Sequence, residues 1–213
     1  MQLMKRELAV AEKLLQINAV KLNIQNPYTW ASGWKSPIYC DNRKLLSYPH
    51  IRDFIKSELT NLVFSEFPDA NCIAGVATAG IPHGMLVADL LSLPFVYVRS
   101  KPKEHGLGNQ IEGVLPDQAK VVVIEDLIST GKSSMEAVEA LLSAGATIEG
   151  LCSVFTYGFD VAKNVFDQAG IRTLSLSNYT ALTQFALEHG TIQEDQLALL
   201  ENWRANPAAW TGV

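Results

Sequence analysis

The chain of 213 residues is 48% hydrophobic and 18% charged, so it is long enough for one sizeable core and too apolar for global disorder. Its formal net charge of −5, without a basic tail, disfavours nucleic-acid binding, and no apolar run reaches the about 18 residues that a membrane helix needs. Its cysteines, Cys40, Cys72 and Cys152, are odd in number and widely spaced, so we expect a reducing, cytoplasmic environment without a disulfide framework or a zinc site.

The first predicted element is a helix. Apolar residues at helical spacing across residues 3–22 predict an amphipathic helix, which Asn26-Pro27 ends. Residues 28–42 are aromatic and rich in Ser, Gly and Pro, and they predict short strands and turns. A further helix is predicted from about Pro49 to Phe64.

Strands and helices alternate through the middle of the chain. Strands are predicted at residues 73–77, 95–98, 121–124, 147–156 and 172–176, and the intervening helices at 81–91, 135–142 and 161–168. This alternation predicts an α/β fold, a twisted and mainly parallel sheet flanked by helices on both faces. Two more helices are predicted near the end, one over residues 179–188 and one that opens with the capping box Thr191–Glu194.

The most informative motif follows the apolar run Val121–Ile124. That run ends on two carboxylates, Glu125 and Asp126, and a turn of small residues at 129–133 then leads into the next helix. The turn can offer backbone N–H groups, hydroxyls and a helix dipole to a phosphate. The carboxylates can accept hydrogen bonds from sugar hydroxyls or hold Mg²⁺ through water. The motif therefore predicts a site for a phosphorylated sugar.

Two other phosphate-binding motifs do not fit this segment. A Walker A loop needs a glycine where Asp126 stands, and a carboxylate there would face the phosphate. A dinucleotide fingerprint based on Gly106 and Gly108 fails because its third glycine position holds Ile111. An ordinary capped strand–turn–helix leaves the paired acids unexplained.

The motif resembles the signature of the type I phosphoribosyltransferases, which bind phosphoribosyl pyrophosphate (PRPP). The resemblance implies the type I phosphoribosyltransferase fold, with the acids on the ribose hydroxyls and the turn around the 5-phosphate. It also implies that the loop Thr78-Ala79-Gly80, between a predicted strand and helix, lies beside the pyrophosphate. The residues that it assigns to PRPP are Arg99, Lys103, His105, Glu125, Asp126, Leu127, Ile128, Ser129, Thr130, Gly131, Lys132 and Ser133.

A cationic loop over residues 99–113 follows the strand 95–98. Its pattern Arg-x-Lys-x-Lys-x-His-Gly resembles the catalytic loop of the orotate phosphoribosyltransferases. The resemblance implies catalytic roles for Lys103 and His105, together with Asp126, and a homodimer in which this loop reaches the partner's site. Ser100 stands where most members have a lysine, which Lys101 partly replaces.

The segment 28–43 resembles the N-terminal hood of the same family. The Ser-Gly-x-Lys-Ser-Pro run around Lys35, with a later Asp-x-Arg, carries this resemblance. It implies a base-binding hood within residues 1–45 and a PRPP-binding core over 46–213, which includes the C-terminal helices in one compact unit. Lys35 and Ser129 are the implied orotate contacts.

The implied reaction transfers ribose 5-phosphate from PRPP to orotate, giving orotidine 5′-monophosphate and pyrophosphate in UMP biosynthesis. The implied cofactor is Mg²⁺, carried with PRPP and met through water by Glu125 and Asp126, without a directly bound protein metal. Two alternatives stay open, a purine phosphoribosyltransferase and a PRPP-sensing regulator. The hood and the cationic loop disfavour the first, whereas the loop and the acidic charge disfavour the second.

Overall fold

The computed structural model describes residues 2–30, 33–100 and 110–211. Its helices are α1 Gln2–Gln16, α2 Pro49–Glu66, α3 Gly80–Leu91, α4 Lys132–Ser143, α5 Asp160–Gln168, α6 Tyr179–Glu188 and α7 Glu194–Ala205, with a 3-10 helix at Asn42–Ser47. Its strands are β1 Val20–Leu22, β2 Tyr28–Thr29, β3 Lys35–Ser36, β4 Ile38–Cys40, β5 Cys72–Val76, β6 Phe95–Val98, β7 Ile111–Glu112, β8 Lys120–Ile128, β9 Thr147–Thr156 and β10 Thr173–Asn178. None of these helices is long and apolar enough to cross a membrane.

The main sheet has the strand order β10-β9-β8-β5-β6-β7. Strands β9, β8, β5 and β6 pair in parallel, and β7 closes one edge in antiparallel pairing with β6. Two antiparallel pairs, β1 with β4 and β2 with β3, lie outside this sheet. The predicted α/β class with a mainly parallel sheet is confirmed.

Strand β8 forms the centre of the core. Its residues Val121–Ile124 are fully buried, as expected of a parallel strand that helices cover on both faces. Val121 and Val123 belong to the same apolar cluster as Val138 and Leu141 of α4. Burying one such side chain contributes about 1.5–3 kcal/mol, so this packing fixes α4 against the strand.

Several predicted boundaries were wrong, and three of them have a clear structural reason or consequence. The first helix ends at Gln16 rather than residue 22, because Asn18 adopts a left-handed conformation and the Ala19 N–H bonds to the Leu14 carbonyl, which closes the helix. Strand β8 continues beyond residue 124 to Ile128. The capping box at the start of α7 is formed by Gln193 and Gln196 instead of Thr191–Glu194. The side chain of each glutamine accepts a hydrogen bond from the backbone N–H of the other.

The chain forms two compact units. One comprises the residues up to Tyr48 together with those from Ser177 onward, and the other is Pro49–Leu176. In the first unit α1 packs on α6, and the Ser177 hydroxyl donates to the Glu7 carbonyl at 2.8 Å. The structure thus groups α6 and α7 with the N-terminal segment, while the predicted division into residues 1–45 and 46–213 stays a prediction.

Candidate active site

The two signature acids lie within β8. Glu125 is 5% exposed and Asp126 is half-buried. The Glu125 Oε1 atom accepts the Asp126 backbone N–H at 3.1 Å, and its Oε2 atom accepts the Ser134 hydroxyl at 3.1 Å. Burial, and after it the negative charge of Asp126, raise the pKa of the Glu125 carboxyl well above its ordinary value. A ligand that brings hydroxyl groups or positive charge would therefore stabilise the ionised form of this carboxyl group.

The turn after β8 is shaped by Gly131. This residue has φ +78°, and a Cβ atom there would lie 2.9 Å from the Phe166 ring, so both the backbone and the space require glycine. Gly131 caps α4, and the first helical bond runs from the Met135 N–H to its carbonyl at 2.9 Å. The N–H groups before Met135 therefore point out of the first turn, where an anion binds. Of the predicted segment 129–133, residues 129–131 form this turn, and Lys132 and Ser133 are the first two residues of α4.

Leu127 and Ile128 link the acids to the turn. Ile128 is 3% exposed and its side chain belongs to the core, so only its backbone is placed to meet a ligand. Its carbonyl accepts the Tyr157 N–H at 3.0 Å, and Leu127 is half-buried. These two residues were predicted to contact PRPP, which stays a prediction, and the burial of the Ile128 side chain leaves its backbone for such a contact.

The predicted pyrophosphate loop joins β5 to α3. Thr78 and Ala79 precede the helix, and the Ala77–Thr78 peptide bond is cis. Gly80 begins α3, and a Cβ atom on it would lie 2.4 Å from the Ile124 carbonyl oxygen and 3.2 Å from the Glu125 Cα. The N-terminus of α3 therefore lies beside the strand that carries the acids.

Arg99 follows β6 and begins the cationic loop. Its N–H donates to the Gln110 carbonyl at 2.9 Å, and the Gln110 side chain donates to the Arg99 carbonyl at 2.8 Å. Its guanidinium forms an ion pair with Glu112 at 3.6 Å. The structure therefore places Arg99 at the end of a strand next to β5, while Lys103 and His105 lie outside the described residues.

The hood residues belong to the other unit. The exposed Lys35 ammonium donates to the Thr29 hydroxyl at 2.8 Å, and the Lys35 carbonyl accepts the Trp203 indole N–H at 3.0 Å. Trp30 stacks on Trp34, with ring centroids 6.3 Å apart. These contacts order the aromatic segment around Lys35, which was the predicted orotate contact.

Ser134 is the site residue that sequence reasoning missed. It is the third residue of α4 and only 1% exposed. The other buried residues of α4 are Ala137, Val138 and Leu141, at the spacing of one helical face. A serine on that otherwise apolar face, next to a motif rich in acids, was the available signal.

No group of three or more His, Cys, Asp and Glu side chains suited to a metal occurs within residues 2–30, 33–100 and 110–211. Glu125 and Asp126 provide adjacent carboxylates, and hard oxygen ligands of this kind suit Mg²⁺ that retains water and phosphate ligands. The site therefore fits a magnesium ion that arrives with a pyrophosphate group.

Comparison with known proteins decides the family. A model of the phosphoribosyl transferase domain matches residues 44–188. The orotate phosphoribosyltransferase of Bacteroides thetaiotaomicron is 56% identical over 200 residues, which cover 94% of each chain. The chain belongs to the orotate phosphoribosyltransferase family. This membership confirms the predicted resemblance.

Solved structures of the family have the same fold. The orotate phosphoribosyltransferase from Aeropyrum pernix is 28% identical in sequence. Its crystal structure matches with a TM-score of 0.72, and the match covers 86% of this chain and 99% of that one. The UMP synthase of Leishmania donovani is 27% identical with a TM-score of 0.76, covering 92% of this chain. This chain spans 42% of that UMP synthase. The predicted type I phosphoribosyltransferase fold is therefore confirmed.

Proposed function

We propose that this chain transfers ribose 5-phosphate from PRPP to orotate, giving orotidine 5′-monophosphate and pyrophosphate for UMP synthesis. The observation that carries the proposal is the placement of Glu125 and Asp126 on the strand that leads into the phosphate turn at α4. Near full-length identity to orotate phosphoribosyltransferases supports orotate as the acceptor.

The proposed PRPP site is formed by the acids of β8 and by the turn that leads from this strand into α4. The turn at 129–133 holds the 5-phosphate, because the first turn of α4 directs N–H groups and the positive end of its dipole there. Glu125 and Asp126 accept hydrogen bonds from the ribose hydroxyls. The loop 78–80 at the N-terminus of α3 and the Arg99 guanidinium bind the pyrophosphate.

Catalysis depends on charge that moves to the leaving group. As the bond from C1 to pyrophosphate loosens, negative charge gathers on the pyrophosphate and positive charge on the ribose ring. Lys103 and His105 stabilise or protonate the departing pyrophosphate, and Asp126 stabilises the ring. Contacts that strengthen at this stage lower the barrier instead of only tightening substrate binding.

The proposed cofactor is Mg²⁺ that arrives with PRPP. The carboxylates of Glu125 and Asp126 would hold this ion through water, and the ion would neutralise charge on the pyrophosphate.

Orotate is bound by Lys35 and Ser129. Lys35 offers a positive charge to the anionic pyrimidine, and Ser129 offers a hydroxyl from the phosphate turn. The exposed ammonium of Lys35 donates to the Thr29 hydroxyl, and this exposed contact supports the role because the side chain can reorient at low cost.

We also propose that the protein acts as a homodimer in the cytoplasm, with loop 99–113 reaching the partner's site and without nucleic-acid or membrane partners. Helix α3 supports the dimer because it exposes large apolar side chains, Met85 at 46% and Leu90 at 48%. Cys40, Cys72 and Cys152 are in the thiol form, which suits a reducing compartment.

The deciding experiment follows orotate absorbance with purified protein, PRPP and Mg²⁺, beside parallel reactions with adenine, hypoxanthine and uracil. We expect loss of the orotate signal only when PRPP and Mg²⁺ are both present. Turnover of a purine would indicate that the protein is a purine phosphoribosyltransferase instead. Inactivity with every base, together with PRPP binding, would favour the regulator instead.

A further inference from the structure

Glu125 has both carboxylate oxygens bonded inside the protein. Its side chain is 5% exposed, and Oε1 and Oε2 each accept one hydrogen bond, from the Asp126 N–H and the Ser134 hydroxyl. A buried carboxylate is costly unless its oxygens are hydrogen-bonded. The Ser134 hydroxyl therefore fixes the Oε2 atom of this buried carboxylate.

Ser134 is not a capping residue of α4. The cap position is held by Gly131, and the Ser134 hydroxyl instead leaves the helix to reach the strand at 3.1 Å. Ser134 directly follows the phosphate turn in sequence, so this one bond joins the element that holds the 5-phosphate to the strand that holds the acids. A rigid link of this kind fixes the spacing between two substrate contacts.

We propose that Ser134 is a positioning residue, whose hydroxyl holds Glu125 in the orientation in which that carboxylate meets the PRPP ribose. The inference rests on the proposed function and extends it to a residue that touches no substrate. Its support is geometric, because a hydrogen bond of 3.1 Å joins two side chains that are only 1% and 5% exposed.

The test compares the steady-state kinetics of Ser134→Ala with those of the wild-type enzyme. We expect the KM for PRPP to rise about tenfold, the size of effect that losing one hydrogen bond to a charged group produces. The KM for orotate should stay unchanged, because the proposed role of Glu125 is to meet the ribose of PRPP.

Ser134→Cys provides a second variant, which has a similar shape but offers only a weak donor. It should raise the KM for PRPP in the same direction, and it decides the question if Ser134→Ala fails to fold. Ser134→Thr retains the hydroxyl and should restore the wild-type KM for PRPP. Thermal unfolding followed by circular dichroism verifies that each variant is folded.

Ser153→Ala is the matched control. Ser153 is fully buried on β9 opposite Glu125 in the strand register, but its hydroxyl bonds Ser175 at 2.7 Å rather than the carboxylate. This control should keep the wild-type KM for PRPP. An unchanged KM for PRPP in both Ser134→Ala and Ser134→Cys, or an equal rise in Ser153→Ala, would overturn the inference. A wild-type protein inactive on orotate would defeat the proposed function, whereas an active wild type with an unaffected Ser134→Ala defeats only this inference.

Discussion

The backbone of Gly80 packs closely against that of Ile124. A Cβ atom added to residue 80 would lie only 2.4 Å from the Ile124 carbonyl oxygen. This contact joins the start of α3 to the strand immediately before Glu125. The predicted pyrophosphate loop and the two signature acids are consequently held at a fixed separation by backbone atoms, which cannot yield as a flexible side chain would.

Gly80→Ala should separate these two elements. The added methyl group must displace α3 or β8, at a cost of about 1–3 kcal/mol in the free energy of unfolding. The KM for PRPP should rise more than the KM for orotate, since the two contacts for one substrate move apart. Urea unfolding and steady-state kinetics measure both effects.

Gly145→Ala is the control for that prediction. Gly145 has φ +88° and nothing within 4 Å of an added Cβ atom, so alanine there introduces backbone strain without a steric clash. It should lower stability and leave the KM for PRPP unchanged. A Gly80→Ala enzyme with wild-type kinetics would show that the contact does not set the site.

Gly131→Ala should distort the phosphate turn from the other side. The new methyl group would lie 2.9 Å from the Phe166 ring of α5, and φ +78° adds strain. We expect a higher KM for PRPP together with a lower melting temperature. In the double variant Gly131→Ala/Phe166→Leu the steric clash is relieved, so the KM should recover in part. No recovery would mean that backbone strain, rather than Phe166, dominates.

Lys103→Ala should lower turnover far more than it weakens PRPP binding. The proposed contact strengthens as charge develops on pyrophosphate, and removing such a contact lowers kcat by about a hundredfold. Single-turnover kinetics and calorimetric titration with PRPP separate the two quantities. Lys132→Ala, an exposed lysine of α4 within the proposed PRPP segment, should instead affect mainly PRPP binding. Equal losses of kcat and affinity in Lys103→Ala would remove Lys103 from the catalytic role.

Much of the sheet could be predicted from the sequence because its strands are continuous apolar runs. The strands at Phe95–Val98 and Thr147–Thr156 have the predicted bounds. Strand β8 was predicted too short, since two carboxylates interrupt its apolar pattern. Pairing with β9 continues to Ile128 opposite Thr156. The hydrogen bonds to the carboxylate oxygens of Glu125 offset the energetic cost of burying this residue.

The remaining features depend on contacts between distant residues. Strand β1 is too short to show a period, and it forms because Asn18 ends α1 and Lys21 then pairs with Tyr39. Strand β7 likewise exists only through its pairing with β6. The role of Ser134 required knowing that β8 continues through Glu125, so the sequence alone predicted the acids and the turn but not the bond between them.

His83 makes the stability of the protein dependent on pH. Burial lowers the pKa of this histidine from 6.5 to about 4, and its Nε2 atom has no hydrogen-bond partner among the described residues. Because the pKa is lower in the folded state, the contribution of His83 to the free energy of unfolding is complete above pH 6.5. That contribution is lost as the pH falls toward 4, by about 3 kcal/mol in all. His83→Met should remove this part of the loss, so its unfolding free energy should fall less than that of the wild type between pH 7 and pH 4. Urea unfolding at both pH values measures the difference, with the exposed His50→Gln as a control that should behave as the wild type. An identical loss in His83→Met and the wild type would show that other groups determine acid unfolding.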